Sequence, residues 1–316
     1  MSYGIARFLH PDTGLPATAL VDGDRVRFLP ADLAPDVNGL IEHWAERQPA
    51  VEALAADGSG PWSDTAELTL LPPVEPRQIV QAVANYRTHV IDLVLAHREP
   101  DDPRSEEQAR AETAAMMDRR AAEGTPYFFV GMPTALASAT EDLVLPGYSD
   151  KHDWELELAV VIGRRAQAVS PEEALEHVFG YTVVNDITTR DLVFRKDMPE
   201  IGTDWYRSKN APGFLPAGPV VVPAEFVGDP QDLRVTLRLN GQVMQDESTA
   251  DMIFDVARLI SAASRTMPLL PGDLLLTGSP AGNGMHWGRL LRAGDVMEAT
   301  VTGLGTQTVR CVAGAA

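Results

Sequence analysis

The sequence predicts an α+β fold that is predominantly β, with a small α+β N-terminal unit leading into a larger strand-rich one. Three observations predict it. Segments with strand-like alternation recur along the chain, separated by turn residues. Glycine (25) and proline (24) are slightly above ordinary usage in 316 residues, which implies many turns. The Gly/Pro-rich stretches "SGPWSD" and "LLPPVEP" near 58–76 read as a connector, placing a boundary between 1–74 and 75–316.

The elements follow in order. "GIARFLH", "ATALVDG" and "DRVRFLP" alternate as strands, and "VNGLIEHWAERQPAVEALAAD" reads as helical. "RQIVQAVANY" is a buried strand running into "NYRTHVIDLVLAHRE". Ser105 and Gln108 form a capping box, Glu106 and Arg110 stand at i,i+4, and Gly124 suits the C′ position, so a helix is expected near 106–123. Its faces are mostly alanine and charge, which suggests a surface insertion, a lid near 90–128. "HDWELELAVVIG" reads as one strand. "SPEEALEHVFG" reads as a short helix with Ser170 as N-cap, Pro171 at N1, Glu173 closing the box and Gly180 at C′. "YTVVND" is a buried strand, and "DLRVTLRLNGQVMQDE" a hairpin about Asn240-Gly241, which suits a type I′ turn. "TADMIFDVARLISAASRTM" is an amphipathic helix, and "PGDLLLTGSPAG" and "AGDVMEATVTGLGTQTVRCV" supply the last strands.

Composition excludes several functions. A net charge of −19 argues against nucleic acid or an anionic membrane as partner, since both require basic surface. Cys311 is the single cysteine, so an internal disulfide, a CxxC redox motif and a Cys-ligated zinc site are excluded. The opening "MSYGIARFLHP" has no apolar signal core, and no apolar run approaches the ~20 residues of a membrane span, so a cytoplasmic protein is expected.

Four local patterns point to chemistry. In "WELEL", Glu155 and Glu157 share one side of a strand, with Asp153 on the same side. Adjacent carboxylates on a half-buried strand repel one another, and a hard divalent cation such as Mg²⁺, Mn²⁺ or Ca²⁺ would compensate them. An exposed polar edge strand gives the same pattern. In "YTVVNDITTRDL", an apolar strand ends in Asn185-Asp186, with Arg190 four residues on, and Asp186 would complete an open three-carboxylate site or simply cap a turn. In "NYRTHVIDL", His89 and Asp92 lie at i and i+3 on a helix, where a carboxylate would make the imidazole a better base, or where both form a surface pair. Only three of 26 basic residues are lysines: Lys151, Lys196 and Lys209. Lys209, in the aromatic, Gly/Pro-rich loop "DWYRSKNAPGFLPAGP", suits an anionic substrate, or plain solvent. Thr277 and Gly278 follow an apolar strand in "LLLTGSPAGNG", where free backbone N–H groups could meet an anion.

"NYRTHV", "DWELELAVVIG", "GYTVVNDITTRDL", "SKNAPGFLPAGP", "LNGQVMQDESTADMIF" and "LPGDLLLTGSPAGNG", in this order over roughly 75–312, resemble the fumarylacetoacetate hydrolase family. The resemblance implies a mixed β-roll with a smaller N-terminal domain, in a homodimer. It implies Mg²⁺ or Mn²⁺ held by Glu155, Glu157 and Asp186. His89 would be the general base, assisted by Asp92 where family members usually carry the longer Glu. Lys209 matches the family's substrate-binding lysine. Tyr86, Arg190, Thr277 and Gly278 fall at positions that contact substrate. Two departures lie at the pocket mouth: "VGMPTAL" puts Gly131 near an expected lysine, and the segment from His89 to Phe128 is longer than in compact members. The expected reaction is hydrolytic C–C cleavage of a 2,4-dioxo acid such as an acylpyruvate, through an enolate that the metal stabilises and water that His89 activates. Decarboxylation of oxaloacetate-like acids, or tautomerisation and isomerisation of unsaturated 2-oxo acids, needs the same site.

Overall fold

The computed structural model describes residues 2–96, 98 and 102–314. The alternating segments near the N-terminus pair as an antiparallel sheet in the order Ser63–Asp64, Arg25–Phe28, Pro16–Asp22, Gly4–Leu9, Leu70–Leu71. Its inward Ile5 and Leu20 pack with Leu40, Ile41 and Val51 of the helices Val37–Glu42 and Trp44–Ala56. The single helical stretch expected here is two helices, parted at His43.

Beyond it lie two larger sheets. The first has eight strands. Seven run in the order Phe128–Gly131, Ile79–Ala82, Leu274–Leu276, Leu156–Ile162, Val178–Asn185, Leu215–Ala217, Leu136–Ser138, and Val222–Pro223 also pairs with Val178–Asn185. The second is ordered Gln242–Ser248, Arg234–Leu239, Val296–Val301, Thr306–Ala313, Leu143–Leu145. Asn240 and Gly241 both take positive φ, 51° and 81°, as a type I′ turn requires.

Leu156–Ile162 explains why its sequence is an unbroken apolar run. All seven residues are buried. Leu158 and Val160 enter the core shared with Val235, Leu237 and Ala299 of the second sheet. Ala159 and Val161, on the opposite face, enter the core shared with Ile5 and Leu20. Glu157 stands on this second face, two residues before Ala159, at the strand's first turn of the pleat.

Several local expectations are corrected. "HDWELELAVVIG" is broken: His152–Asp153 pairs with Thr188–Thr189 in a separate ribbon before Leu156–Ile162 begins. Gly180 lies inside the strand Val178–Asn185, because the helix ends early at Ala174 and a 3₁₀ turn follows. The capping box at Ser105 and the helix Glu106–Glu123 are present, but Gly124 is extended (φ −82°), and no left-handed cap forms. Arg110 pairs with Asp92 on the neighbouring helix Arg87–Ala96 at 3.3 Å, and no ion pair joins it to Glu106 among the described residues. Helix Glu106–Glu123 also buries Ala109, Thr113 and Met117, so it is a packed element. The expected lid includes 97 and 99–101, which lie outside the described residues. Among the described residues, no helix is long and apolar enough to cross a membrane.

Candidate active site

The topology of the eight-stranded sheet gathers one end of four adjacent strands. Ile79–Ala82 and Leu274–Leu276 run parallel, with Gln81 beside Leu276. Leu156–Ile162 and Val178–Asn185 run antiparallel, with Leu156 beside Asn185. Gln81, the Thr277-Gly278 turn, Glu155, Glu157 and Asp186 therefore meet.

One ligand oxygen from each of Glu155, Glu157 and Asp186 lies within 4.8 Å of the others. Backbone contacts fix this geometry. Asp186 N–H donates to the Glu155 carbonyl at 2.8 Å, and Glu155 N–H donates to the Asn185 side chain at 2.9 Å. Gly278 N–H donates to Glu157 Oε2 at 2.6 Å. That turn requires glycine twice over. Its φ is 94°, and an added Cβ would lie 2.9 Å from the Asn85 Cβ.

Two cations sit against the cluster. The buried Lys209 Nζ donates to Glu155 Oε2 at 2.5 Å, to Asp186 Oδ2 at 2.6 Å and to the Asp186 carbonyl at 3.1 Å. Arg190 Nε donates to Asp153 Oδ2 at 2.7 Å, and its Nη2 lies 2.6 Å from Glu155 Oε1. Asp153 is thereby outside the three-carboxylate cluster, held also by Gly284 N–H at 2.5 Å and Met285 N–H at 3.2 Å.

The charges do not balance. Asp153, Glu155, Glu157 and Asp186 bring four carboxylates, and Arg190 and Lys209 bring two cations. Burial works against ionised Glu155, but Arg190 and Lys209 outweigh it and hold its carboxyl at about 2. Burial and the neighbouring Asp186 charge push Glu157 well above the usual range, and burial also lifts Asp186. A divalent cation would supply the two missing positive charges, and an all-oxygen donor set suits a hard ion, so the residues fit Mg²⁺ or Mn²⁺.

The cluster opens on a cavity of about 780 Å³, whose wall also includes His89, Arg190 and Lys209. Burial lowers the His89 imidazole below its ordinary value; the Glu155 charge opposes this and the Arg190 charge adds to it. Asp92 raises it by charge alone, because its carboxylate faces Arg110 and no hydrogen bond joins it to His89 among the described residues. The expected His–Asp dyad is thus a charge relationship without a contact. Tyr86 is wholly buried and does not line the cavity. Thr277 is equally buried, its hydroxyl donating to the Leu158 carbonyl at 2.9 Å, and the Gly278 N–H is spent on Glu157. Thr277 and Gly278 thus brace the strand that carries Glu157, and the buried Tyr86 lies off the cavity wall.

Sequence reading missed Gln81. With its amide nitrogen turned toward Asp186, this fully buried side chain donates to both carboxylate oxygens, at 2.9 and 2.8 Å. The only signal was a glutamine inside an apolar strand. Gly131, across the ladder, leaves room for it: a Cβ there would stand 2.1 Å from the far end of the Gln81 amide, its oxygen in this orientation. The aromatic wall of Tyr127, Phe129 and Trp205 was also missed.

Known proteins share this architecture. The family model for the fumarylacetoacetate (FAA) hydrolase C-terminal region matches residues 78–312. The chain is 43% identical over 185 residues to 2,4-didehydro-3-deoxy-L-rhamnonate hydrolase of Sphingomonas sp. (strain SKA58), covering 58% of this chain and 63% of that protein, under two thirds of its length. It is 33% identical over 243 residues to a mitochondrial oxaloacetate tautomerase of Bos taurus, covering 76% and 68%. Among solved structures, maleylpyruvate hydrolase from Sphingobium sp. SYK-6, in complex with manganese(II) and pyruvate, superposes with a TM-score of 0.75 over 100% of both chains at 26% identity. These relatives are enzymes, hydrolases and a tautomerase, and the chain belongs to the fumarylacetoacetate hydrolase family.

Proposed function

We propose that the protein is a divalent-metal-dependent hydrolase that cleaves a C–C bond of a 2,4-dioxo acid such as an acylpyruvate. The observation that carries this reading is that the Glu155–Glu157–Asp186 cluster and His89 open on the same cavity. Manganese and pyruvate together in the maleylpyruvate hydrolase structure support it.

Glu155, Glu157 and Asp186 would hold Mg²⁺ or Mn²⁺, which supplies Lewis-acid chemistry for the 2-oxo acid end of the substrate. Lys209 and Arg190 keep Glu155 ionised and aimed at the cluster. His89 has a lowered pKa and is neutral at physiological pH, so a ring nitrogen is free to take a proton. It accepts that proton from a water attacking the 4-oxo carbon. The C3–C4 bond then breaks, its electron pair passes to C3, and the proton returns to C3. The products are a carboxylic acid and pyruvate. The apolar wall limits competing water.

A second reading, proton transfer without water attack, is favoured by the placement of Asp92. With Asp92 turned to Arg110, no carboxylate orients His89 for a demanding water activation. The tautomerase relative points the same way. Mass-resolved turnover of acetylpyruvate and oxaloacetate, with Mn²⁺, with EDTA and in His89→Asn, tests both. Pyruvate plus acetate, lost on chelation and in the variant, supports hydrolysis. Carbon dioxide release, or an isomer of unchanged mass, replaces it.

A further inference from the structure

The cavity is far larger than its carboxylate end requires, and most of its remaining wall is aromatic or aliphatic. Phe129 and Trp205 stack at 4.9 Å between centroids, 20° from parallel. Trp205 Nε1 donates to the Tyr127 hydroxyl at 3.1 Å, which locks the pair. This wall adjoins the cluster directly, since Lys209 Nζ lies 5.9 Å from the Phe129 ring centre and Trp205 opens the short helix that ends at Lys209. Val94, Val193, Phe194 and Met285 continue it outward. Phe194 and Met285 are 68% and 52% exposed at the mouth, an apolar surface that a ligand would cover.

The same wall offers, among the described residues, no uncommitted cation and few polar side chains. Among the described residues lining the cavity, the basic side chains are Arg190, Lys209 and His89. Arg190 and Lys209 are already committed to carboxylates, and His89 is held toward neutrality. A second carboxylate on the substrate would be desolvated without a partner. Beyond Thr203 and the Asn283 amide nitrogen, a polyhydroxylated tail finds few polar side chains in this wall. The Ser279 hydroxyl is engaged with Gln245 and Pro280, and the Asn283 side-chain oxygen accepts from the His286 N–H.

We propose that the cavity takes a 2-oxo acid whose far end is an uncharged hydrocarbon group, aliphatic or aromatic, seated against Phe129 and Trp205. This rests on reading the carboxylate cluster as the anchor of a 2-oxo acid, but not on which bond is broken there.

The test is calorimetric binding of non-cleavable 2-oxo acids to the Mn²⁺-loaded protein: 2-oxooctanoate, 4-phenyl-2-oxobutanoate, 2-oxoadipate and a 2-oxo-3-deoxy aldonate. The hydrocarbon-tailed acids should bind at least about tenfold more tightly than the other two, the scale that one or two methylenes supply in an apolar pocket. Phe194→Arg, a change at an exposed position, should shift the preference at least about tenfold toward 2-oxoadipate by supplying the missing cation. Phe194→Ala should weaken only the hydrocarbon-tailed ligands. Equal or tighter binding of 2-oxoadipate or the aldonate by the unaltered protein, or no binding of any 2-oxo acid, overturns the proposal. Turnover of the matching acylpyruvates is read separately by mass. A hydrocarbon preference without hydrolytic products refutes hydrolysis and leaves this inference standing; hydrolysis without the preference does the reverse.

Discussion

Lys209 places its ammonium 2.5 Å from the Glu155 carboxylate and 2.6 Å from that of Asp186, buried on the floor of the cavity. A lysine so engaged is not free to bind a substrate carboxylate. It partly neutralises the carboxylate cluster and aims two of its members. Removing one partner from a buried ionic group costs about 3–5 kcal/mol, because the remaining charges are left uncompensated. Lys209→Met should lose stability on that scale in EDTA. Mg²⁺ should then stabilise the variant more than it stabilises the unaltered protein, since the site has gained one net negative charge. Urea denaturation with and without Mg²⁺ measures this, and equal stabilisation of both proteins would count against the charge argument.

Gln81 is expected to act through Asp186. A hydrogen bond to a charged group contributes about 1.5–3 kcal/mol, so Gln81→Leu should weaken Mn²⁺ binding by about tenfold. Gly131→Ala should act in the same direction, because its methyl would displace the Gln81 amide. Both effects are read by Mn²⁺ titration. Unchanged affinity in Gln81→Leu would remove Gln81 from the site.

The pH dependence follows from His89. Burial lowers its pKa, so the neutral base persists to lower pH than an ordinary histidine allows. The acidic limb of kcat/KM should therefore fall below pH ~6.5. The Asp92 charge opposes the lowering. Asp92→Asn should move the limb further toward acid, while kcat falls by less than about tenfold, because no hydrogen bond is lost from His89. A limb that moves toward alkaline pH, or a loss of a hundredfold or more in kcat, would mean that Asp92 orients His89 directly.

The sequence carried more of the scaffold than of the site's supports. Period-two alternation made Arg234–Leu239 and Val296–Val301 legible as strands, because each presents alternate faces to core and solvent, whereas Gly4–Leu9 is buried on both faces. The Glu155/Glu157 spacing was legible because both residues lie on one short segment. Gln81 was not, since its partner Asp186 is reached only through the strands Leu274–Leu276 and Leu156–Ile162 lying between them. Thr277 and Gly278 were read as open to substrate because a sequence does not show that Leu158 and Glu157 take their donors. Asp92 was paired with His89 by helical spacing, but Arg110 on the next helix competes for it, and that packing is tertiary. The break at Trp154, which turns Asp153 toward Arg190, likewise arises from long-range pairing of His152–Asp153 with Thr188–Thr189.

The reaction proposed above depends on the Glu155–Glu157–Asp186 cluster holding a divalent cation. Glu157 tests it most directly, since its side chain is bonded to Gly278 N–H and makes no ion pair with Lys209 or Arg190 among the described residues. Electron paramagnetic resonance counts free Mn²⁺ during titration of the unaltered protein and of Glu157→Gln, a near-isosteric change. The first should hold one ion tightly per chain, and the second should bind it at least about a hundredfold more weakly, as expected when a charged ligand is lost. Indistinguishable titrations of the two proteins would contradict this assignment of the cluster.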